Sequence, residues 1–464
     1  MTAPVVLAGV SAALPSRRLP RRDVAAAWGS AGGRGEIGVC DDDEDVLTLA
    51  ATAAGRALIA AGLGPDDVDV LLWGTSRPPF AEGPSHAVLA AALALTATSG
   101  GALLCGSPHA GMEALLAGWD AVAAGSARVA LVVTADDRRP GPGTALEQQA
   151  GSGAAAVVLR ADDGGDAPAT LRTRATRTEP HLDRYRGSLE FDTRDVYDAR
   201  LYREEVFLPA VTAVAAALGD ADAWSLPDPD GRLGAAVAKA IGAAGGGTGV
   251  TALLGDTGAA AALLGALPNL AAPGDVAIVG HGGGRTSGVT VRVTAPVPGS
   301  GPFEPLLAGA RPTSYAAVLR SRAQLVPNGE SVAMAIPPGS ALVVRGGREV
   351  LQLLGARCVD CGSIATPPST HPHCLSCGGG KAELVPLARS GTVHTFVVNH
   401  TMPAPFVAPL PLAVLDLDDG ARLMLQVCGA ADDLAVGDRV NLVLRRYAVE
   451  RGAPVYGYKA LREA

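Results

Sequence analysis

Two Cys-X-X-Cys pairs constrain this chain more than any other feature. They read Cys358-Val-Asp-Cys361 and, after twelve intervening residues, Cys374-Leu-Ser-Cys377. Paired thiolates at this separation can close one tetrahedral site, and four sulfurs so spaced are the ligand set of a structural zinc ion. Gly362 and Gly378 to Gly380 follow the pairs, where the backbone must turn tightly and glycine fits with least strain. A lone pair would read as a redox couple; the second pair argues against that. His371 and His373 lie between the pairs. Either can replace a sulfur, but the four thiolates already fill the site. A closed Cys₄ site keeps no position for water, so the predicted metal is structural and not catalytic.

A length of 464 residues points to two or three domains. The composition is 48% hydrophobic but only 4% aromatic, which gives a core of Ala, Val and Leu of the kind common in α/β proteins. A net charge of −8 argues against a nucleic-acid surface. No apolar stretch reaches about 18 residues without a charge, Gly or Pro, so no transmembrane helix is expected. The start, Met1-Thr-Ala-Pro-Val-Val-Leu-Ala8, lacks a basic region and reads as a first strand, not a signal peptide. Cys40, Cys105 and Cys428 fall outside the metal set. Such an odd, scattered remainder suggests a reducing cytoplasm.

Helical and strand patterns alternate through the first two thirds. Helices are predicted at Asp45 to Ala61, Ser85 to Leu95 and Gly111 to Ala124, with buried strands at Val68 to Trp73 and Val129 to Val133. The acidic run Asp41 to Asp45 reads as a helix cap rather than a cation site. The plan then repeats, with helices at Tyr202 to Leu218, Gly231 to Ala243 and Thr257 to Leu270 and a strand at Asp275 to Val279. An internal duplication is therefore expected. The glycine-rich run Gly245 to Gly249 lacks a following Lys-Ser/Thr, so it is not a P-loop. A helical segment spans Thr313 to Leu325. Five short strands are predicted between Thr392 and Lys459, with Asp418-Asp-Gly420 as a hairpin turn. Five strands in so short a stretch suggest a small barrel.

In order along the chain, several segments resemble the thiolase superfamily, nearest its ketoacyl-ACP synthase III and HMG-CoA synthase branch. They are His109-Ala-Gly-Met-Glu-Ala-Leu115, Val129 to Asp136, Gly151-Ser-Gly-Ala-Ala-Ala-Val157, Leu254-Gly-Asp-Thr257, Pro273 to Gly284 and Ser314 to Arg322. The Cys₄ segment followed by Gly391-Thr-Val-His-Thr-Phe396 is similar to the zinc-ribbon/OB-fold proteins that accompany thiolases and acyl-CoA enzymes. The resemblance implies an α/β fold: a duplicated thiolase-like αβαβα layered fold, followed by a Cys₄ zinc ribbon and a small OB-fold β-barrel. It divides the chain into halves at 1–160 and 161–325, a linker at 326–350, the ribbon at 351–385 and the barrel at 386–464. It also implies a homodimer that pairs through the central sheet.

The resemblance further implies a cysteine nucleophile at a helix N-terminus, a histidine and an asparagine around an oxyanion hole and, in the HMG-CoA synthase branch, a glutamate acid/base. Aligned on Gly111, Leu115, Gly125 and Asp136, the nucleophile position falls on Pro108. The histidine position falls near Pro227, the asparagine on Asp256 and the glutamate near Ser76. None carries the usual side chain, and proline can neither attack a thioester nor donate a hydrogen bond. Cys105, three residues before Pro108, is either a displaced nucleophile or a small buried thiol. His109 and Glu113 are either an acid/base couple or a surface i, i+4 pair. His281 sits in a glycine loop after a strand, where a lone histidine is more often a structural hydrogen-bonder. Pro403-Ala-Pro-Phe-Val-Ala-Pro409 either edges an acyl-CoA path or rigidly connects strands.

Two functions follow from these residues. One is a catalytically degenerate subunit handling acyl-CoA or acyl-carrier thioesters in C–C bond formation or cleavage, its ribbon/OB module docking a working thiolase or ketosynthase. The other is an acyltransferase or aldolase of the same fold with a non-standard active site. The acidic charge and sparse aromatics disfavour a third use of the barrel, single-stranded nucleic-acid binding.

Overall fold

The computed structural model describes residues 4–165, 167–196, 198–243, 249–325, 340–402, 406, 408–429, 434–450 and 452–463. Residues 244–248, which take in most of the glycine-rich run, 326–339 of the expected linker, and 403–405 and 407 of the proline loop lie outside that description. The chain divides into two compact units. One is Met1–Ala81 with Leu95–Val326, and the other is Glu82–Ala94 with Pro327–Ala464.

Among the described residues, nine strands of the first unit join in one sheet. In chain order they are β1 (Val5–Ala13), β2 (Val70–Thr75), β3 (Gly100–Cys105), β4 (Val129–Asp137), β5 (Ser152–Ala161), β6 (Ala169–Thr178), β7 (Ala223–Ser225), β8 (Gly274–Gly282) and β9 (Arg285–Val293). Their order across the sheet is β3-β2-β4-β5-β1-β6-β9-β8-β7. Read outward from the centre, β1-β5-β4-β2 on one side matches β6-β9-β8-β7 on the other. In each half the inner hairpin partners are antiparallel, and the outer pair (β4 with β2, β8 with β7) is parallel. The duplication expected from the sequence is thus visible in the sheet order. The halves meet where Val6 on β1 pairs with Thr170 on β6.

The buried strands are runs of small and β-branched residues because both faces are covered. Along β4, Ala130 to Asp136 are all buried. Helix α1 (Val46–Ala60) starts at Asp45, whose carboxylate accepts from the backbone N–H groups of Leu47 and Thr48. Thr48 returns the bond by accepting from the Asp45 N–H, a capping box as the acidic run foretold. Helix α2 (Ala110–Ala123) lies between the halves. Its Met112 and Leu115 share a core with Leu263, Leu264 and Leu267 from the second half. A separate cluster of Phe207, Val211, Val214, Trp224, Val237 and Val279 covers the other side of that half.

Helix α2 approaches its neighbours closely enough to require glycine. A Cβ on Gly111 would collide with the Ala259 carbonyl, and one on Gly74 at the end of β2 with the Ala110 carbonyl. The start of α2 is therefore clamped between β2 and the second-half loop at Asp256 to Ala260.

In the second unit, Leu354–Cys358 pairs with Ile364–Ala365 and Ala382–Pro386 to make the ribbon. The barrel strands run in the order Arg422–Gln426, Leu410–Leu417, Ser390–Asn399, Arg439–Glu450, Ala453–Arg462. A bridge between Val427 and Ala460 nearly closes them into a barrel. All five strands lie where the alternating pattern predicts them. The hairpin turn ends at Gly420, whose N–H donates to Leu417 O and whose φ is +87°. Helix Ser340–Gln352 occupies the end of the segment read as linker. Within this unit it packs against helix Ser85–Ala92, which the sequence reading placed in the first half.

Candidate functional site

The clamp on α2 fixes the loop before it. Pro108 lines a cavity of about 40 Å³ together with Pro227, Asp256, Asp183, Arg184 and His281. Pro108 is thus brought together with two positions more than a hundred residues further along the chain; these three are where the resemblance calls for a nucleophile, a histidine and an asparagine. Ser76, the fourth, reaches the same region through Asp136. Its backbone N–H donates to Asp136 Oδ1 at 2.7 Å, while Ala259 N–H donates to Oδ2 at 2.7 Å.

Asp256 does not offer a free carboxylate. Its Oδ2 lies 3.4 Å from Arg138 Nη1 and 3.4 Å from Arg184 Nη1. The Gly258 N–H donates to its Oδ1 at 3.0 Å. Arg184 in turn reaches Asp195 at 3.2 Å and the Gln149 side-chain oxygen at 3.3 Å. The Arg138 and Asp256 side chains are only 4% and 8% exposed. Removing either partner from such a pair would strand the other charge away from water. Burial pushes the carboxyls of Asp183 and Asp228, which also line the cavity, above their ordinary range.

His109 is fully buried, so the surface reading of the His109–Glu113 pair does not hold. Its Nε2 shares a hydrogen bond with Ser287 Oγ at 2.9 Å, and Nδ1 lies 3.4 Å from Glu113 Oε1. Glu113 also pairs with Arg285. The His109 hydrogen bond is the largest influence on the Glu113 carboxyl and, with Arg285 nearby, holds it below its ordinary range against the opposing effect of burial. Both ring nitrogens of His109 are thus engaged in a relay from Arg285 to Thr176, whose hydroxyl bonds Ser287 at 2.9 Å. Cys105 ends β3 and is exposed, not a small buried thiol. It does not line the cavity with Pro108.

His281 pairs across the β8–β9 hairpin with Thr286, its Nδ1 2.8 Å from the threonine hydroxyl. Gly283 and Gly284 take φ of +59° and +74° in the two-residue turn, a conformation glycine adopts without cost. The sequence left Asp183, Arg184 and Arg138 unmarked as site residues. They belong to no motif, and only the fold brings them to Asp256.

The four cysteines of the second unit converge. Their sulfurs all lie within 4.8 Å of one another, with Cys358–Cys377 at 3.6 Å and Cys361–Cys374 at 3.5 Å. A tetrahedral ion with metal–sulfur bonds of about 2.3 Å places its ligands about 3.8 Å apart, so the cluster fits a metal without rearrangement.

A family model described as the C-terminal OB-fold domain of ChsH2 matches residues 384–445. A DUF35 domain-containing scaffold protein from Methanothermobacter thermautotrophicus is 32% identical over 113 residues, which cover 84% of that protein and 23% of this chain. The chain belongs to the DUF35 domain-containing family. Hydroxymethylglutaryl-CoA synthase from Pyrococcus horikoshii is 33% identical over 148 residues. That match spans 42% of the synthase and 32% of this chain, less than half of either. Two solved structures share the fold. MvaS in complex with 3-hydroxy-3-methylglutaryl coenzyme A superposes with TM-score 0.59 at 20% identity, covering 72% of this chain and 95% of that one. The 3-oxoacyl-(acyl carrier protein) synthase III of Pseudomonas aeruginosa does so with TM-score 0.57 at 22% identity, covering 63% and 98%. This DUF35 protein therefore carries a thiolase-like α/β fold of the HMG-CoA synthase and synthase III kind. Among its described residues, no helix is long and apolar enough to cross a membrane.

The ion pairs at Asp256 make a direct prediction. Asp256→Asn restores the neutral amide of the resembled family but leaves two buried guanidinium groups short of a carboxylate. Unfolding in urea should show a loss of about 3 kcal/mol with an unchanged slope. An unchanged midpoint would show that Asp195 and solvent already balance both arginines.

Proposed function

We propose that this protein handles acyl-CoA or acyl-carrier thioesters in C–C bond formation or cleavage as a catalytically degenerate thiolase-like subunit, whose Cys₄/OB module docks a working thiolase or ketosynthase. One observation carries the reading: Pro108 and Pro227 line the cavity in which a nucleophile and a histidine would be needed, beside an Asp256 held in ion pairs. A proline offers neither lone pair nor proton for acyl transfer, and a carboxylate opposes a developing oxyanion. The likeness of the C-terminal module to a protein described as a scaffold supports the docking role.

In this reading the ion held by Cys358, Cys361, Cys374 and Cys377 is a structural zinc, and the three remaining thiols, Cys40, Cys105 and Cys428, fit a reducing cytoplasm. A homodimer forms through β3. That strand pairs with β2 on one side, and Gly100, Gly101 and Ala102 along it are exposed. An open strand edge is a template for pairing with another chain.

An acyltransferase or aldolase with a non-standard site is the second reading. Its support is the His109–Glu113–Arg285 relay at the start of α2.

Mixing the purified protein with a thiolase or ketosynthase encoded beside its gene distinguishes the two. The first reading expects co-elution and a faster partner reaction, with no turnover of acyl-CoA by this chain alone. Turnover by the chain alone, without co-elution, would overturn it. For the metal, about one zinc per chain is expected by elemental analysis. Cys374→Ser should lose that zinc and with it the cooperative unfolding of the C-terminal module. Retention of both would contradict a structural role.

A further inference from the structure

Among the described residues that line the cavity at Pro108, His281 alone has a buried side-chain nitrogen or oxygen without a protein partner. His281 Nε2 is buried and makes no hydrogen bond to any protein group, although the other ring nitrogen is bonded to Thr286. Buried polar nitrogens are nearly always paired, so an orphan on the wall of a cavity marks a place where a ligand is received. The imidazole is rigidly set. Phe207 meets it edge-on with ring centres 5.1 Å apart, and Tyr202 lies at 6.1 Å. Burial, with His109 and His181 nearby, holds its pKa down at about 4. The ring is therefore neutral and has one proton to offer.

The chemistry of the walls narrows the ligand. Asp183, Asp228 and Asp256 line the cavity with a single cation, Arg184, and Arg184 is already engaged by Asp256 and Asp195. An anionic group would meet an excess of carboxylate, whereas a neutral oxygen acceptor would not. The volume of about 40 Å³ has room for roughly three non-hydrogen atoms, taking about 10–15 Å³ for each water-sized group.

We propose that His281 is the residue that holds the neutral thioester carbonyl of a short acyl group in this cavity. The Thr286 hydroxyl donates to Nδ1, which places the ring proton on Nε2, and Nε2–H donates to the carbonyl oxygen. This contact is non-covalent binding and needs no nucleophile at Pro108. It rests on the acyl-thioester reading above and assigns the group that recognises the acyl head.

Calorimetric titration of the full-length protein with acetyl-CoA and with CoA tests it, because the two probes differ by the acyl head alone. Wild type should bind acetyl-CoA about tenfold more tightly, the scale of one buried hydrogen bond. His281→Phe should erase that preference while leaving the affinity for CoA unchanged. Thr286→Val, which frees the tautomer without removing the ring, should reduce it and provides the answer if His281→Phe does not fold. A preference that survives both substitutions, or equal binding of the two probes by wild type, overturns the assignment of His281 alone. Failure of wild type to bind either probe overturns the acyl-thioester reading together with it.

Discussion

The buried carboxylate of Asp136 holds the first unit together. It sits at the end of β4 and accepts hydrogen bonds from the Thr75 hydroxyl at 2.9 Å, the Ser76 backbone at 2.7 Å and the Ala259 backbone at 2.7 Å. Two of these donors belong to the first half of the duplicated sheet and one to the second. Burial pushes the Asp136 carboxyl above its ordinary range, and Arg138 and the amide donors pull it back. A charge in such a place is tolerable only with every lone pair engaged. Gly258 is part of the same arrangement. It has φ of +55°, and a Cβ there would strike the Asp136 carboxylate, so only glycine lets the loop close over it.

That knot places the loop Asp256 to Ala260 against the start of α2, where Gly111 and Gly74 allow backbone to approach backbone. The result is a rigid floor on which Pro108, Pro227 and Asp256 converge. Two of the three side chains that meet there are prolines, which offer neither a nucleophile nor a proton. Asp256 has been drawn into ion pairs with Arg138 and Arg184. Both carboxylate oxygens are thereby engaged, Oδ2 by the two guanidinium groups and Oδ1 by the Gly258 N–H.

Much of this was legible in the sequence, and the exceptions have physical causes. The Asp45 cap, helix α2 and the barrel strands carry local signals: a capping residue, an apolar stripe at helical spacing and alternation between turns. The convergence of Pro108, Pro227 and Asp256 was readable because the ordered landmarks around them fixed a register. Asp183, Arg184 and Arg138 were not readable, since a salt bridge across more than seventy residues, such as Arg184–Asp256, leaves no trace in local pattern. The burial of His109 was missed because an i, i+4 His–Glu pair at a helix start looks the same whether it faces water or a second half of the molecule. Helix Ser340–Gln352 was read as linker because glycines at 346 and 347 interrupt it.

The central question is whether Pro108 marks a site without covalent chemistry. Intact-protein mass spectrometry after incubation with a panel of acyl-CoAs addresses this most directly, with a functioning thiolase acylated under the same conditions as the reference. An unmodified mass is expected for this chain. A stoichiometric acyl adduct mapped to Cys105 would contradict it, because the exposed thiol at the end of β3 would then be the nucleophile that the Pro108 position lacks.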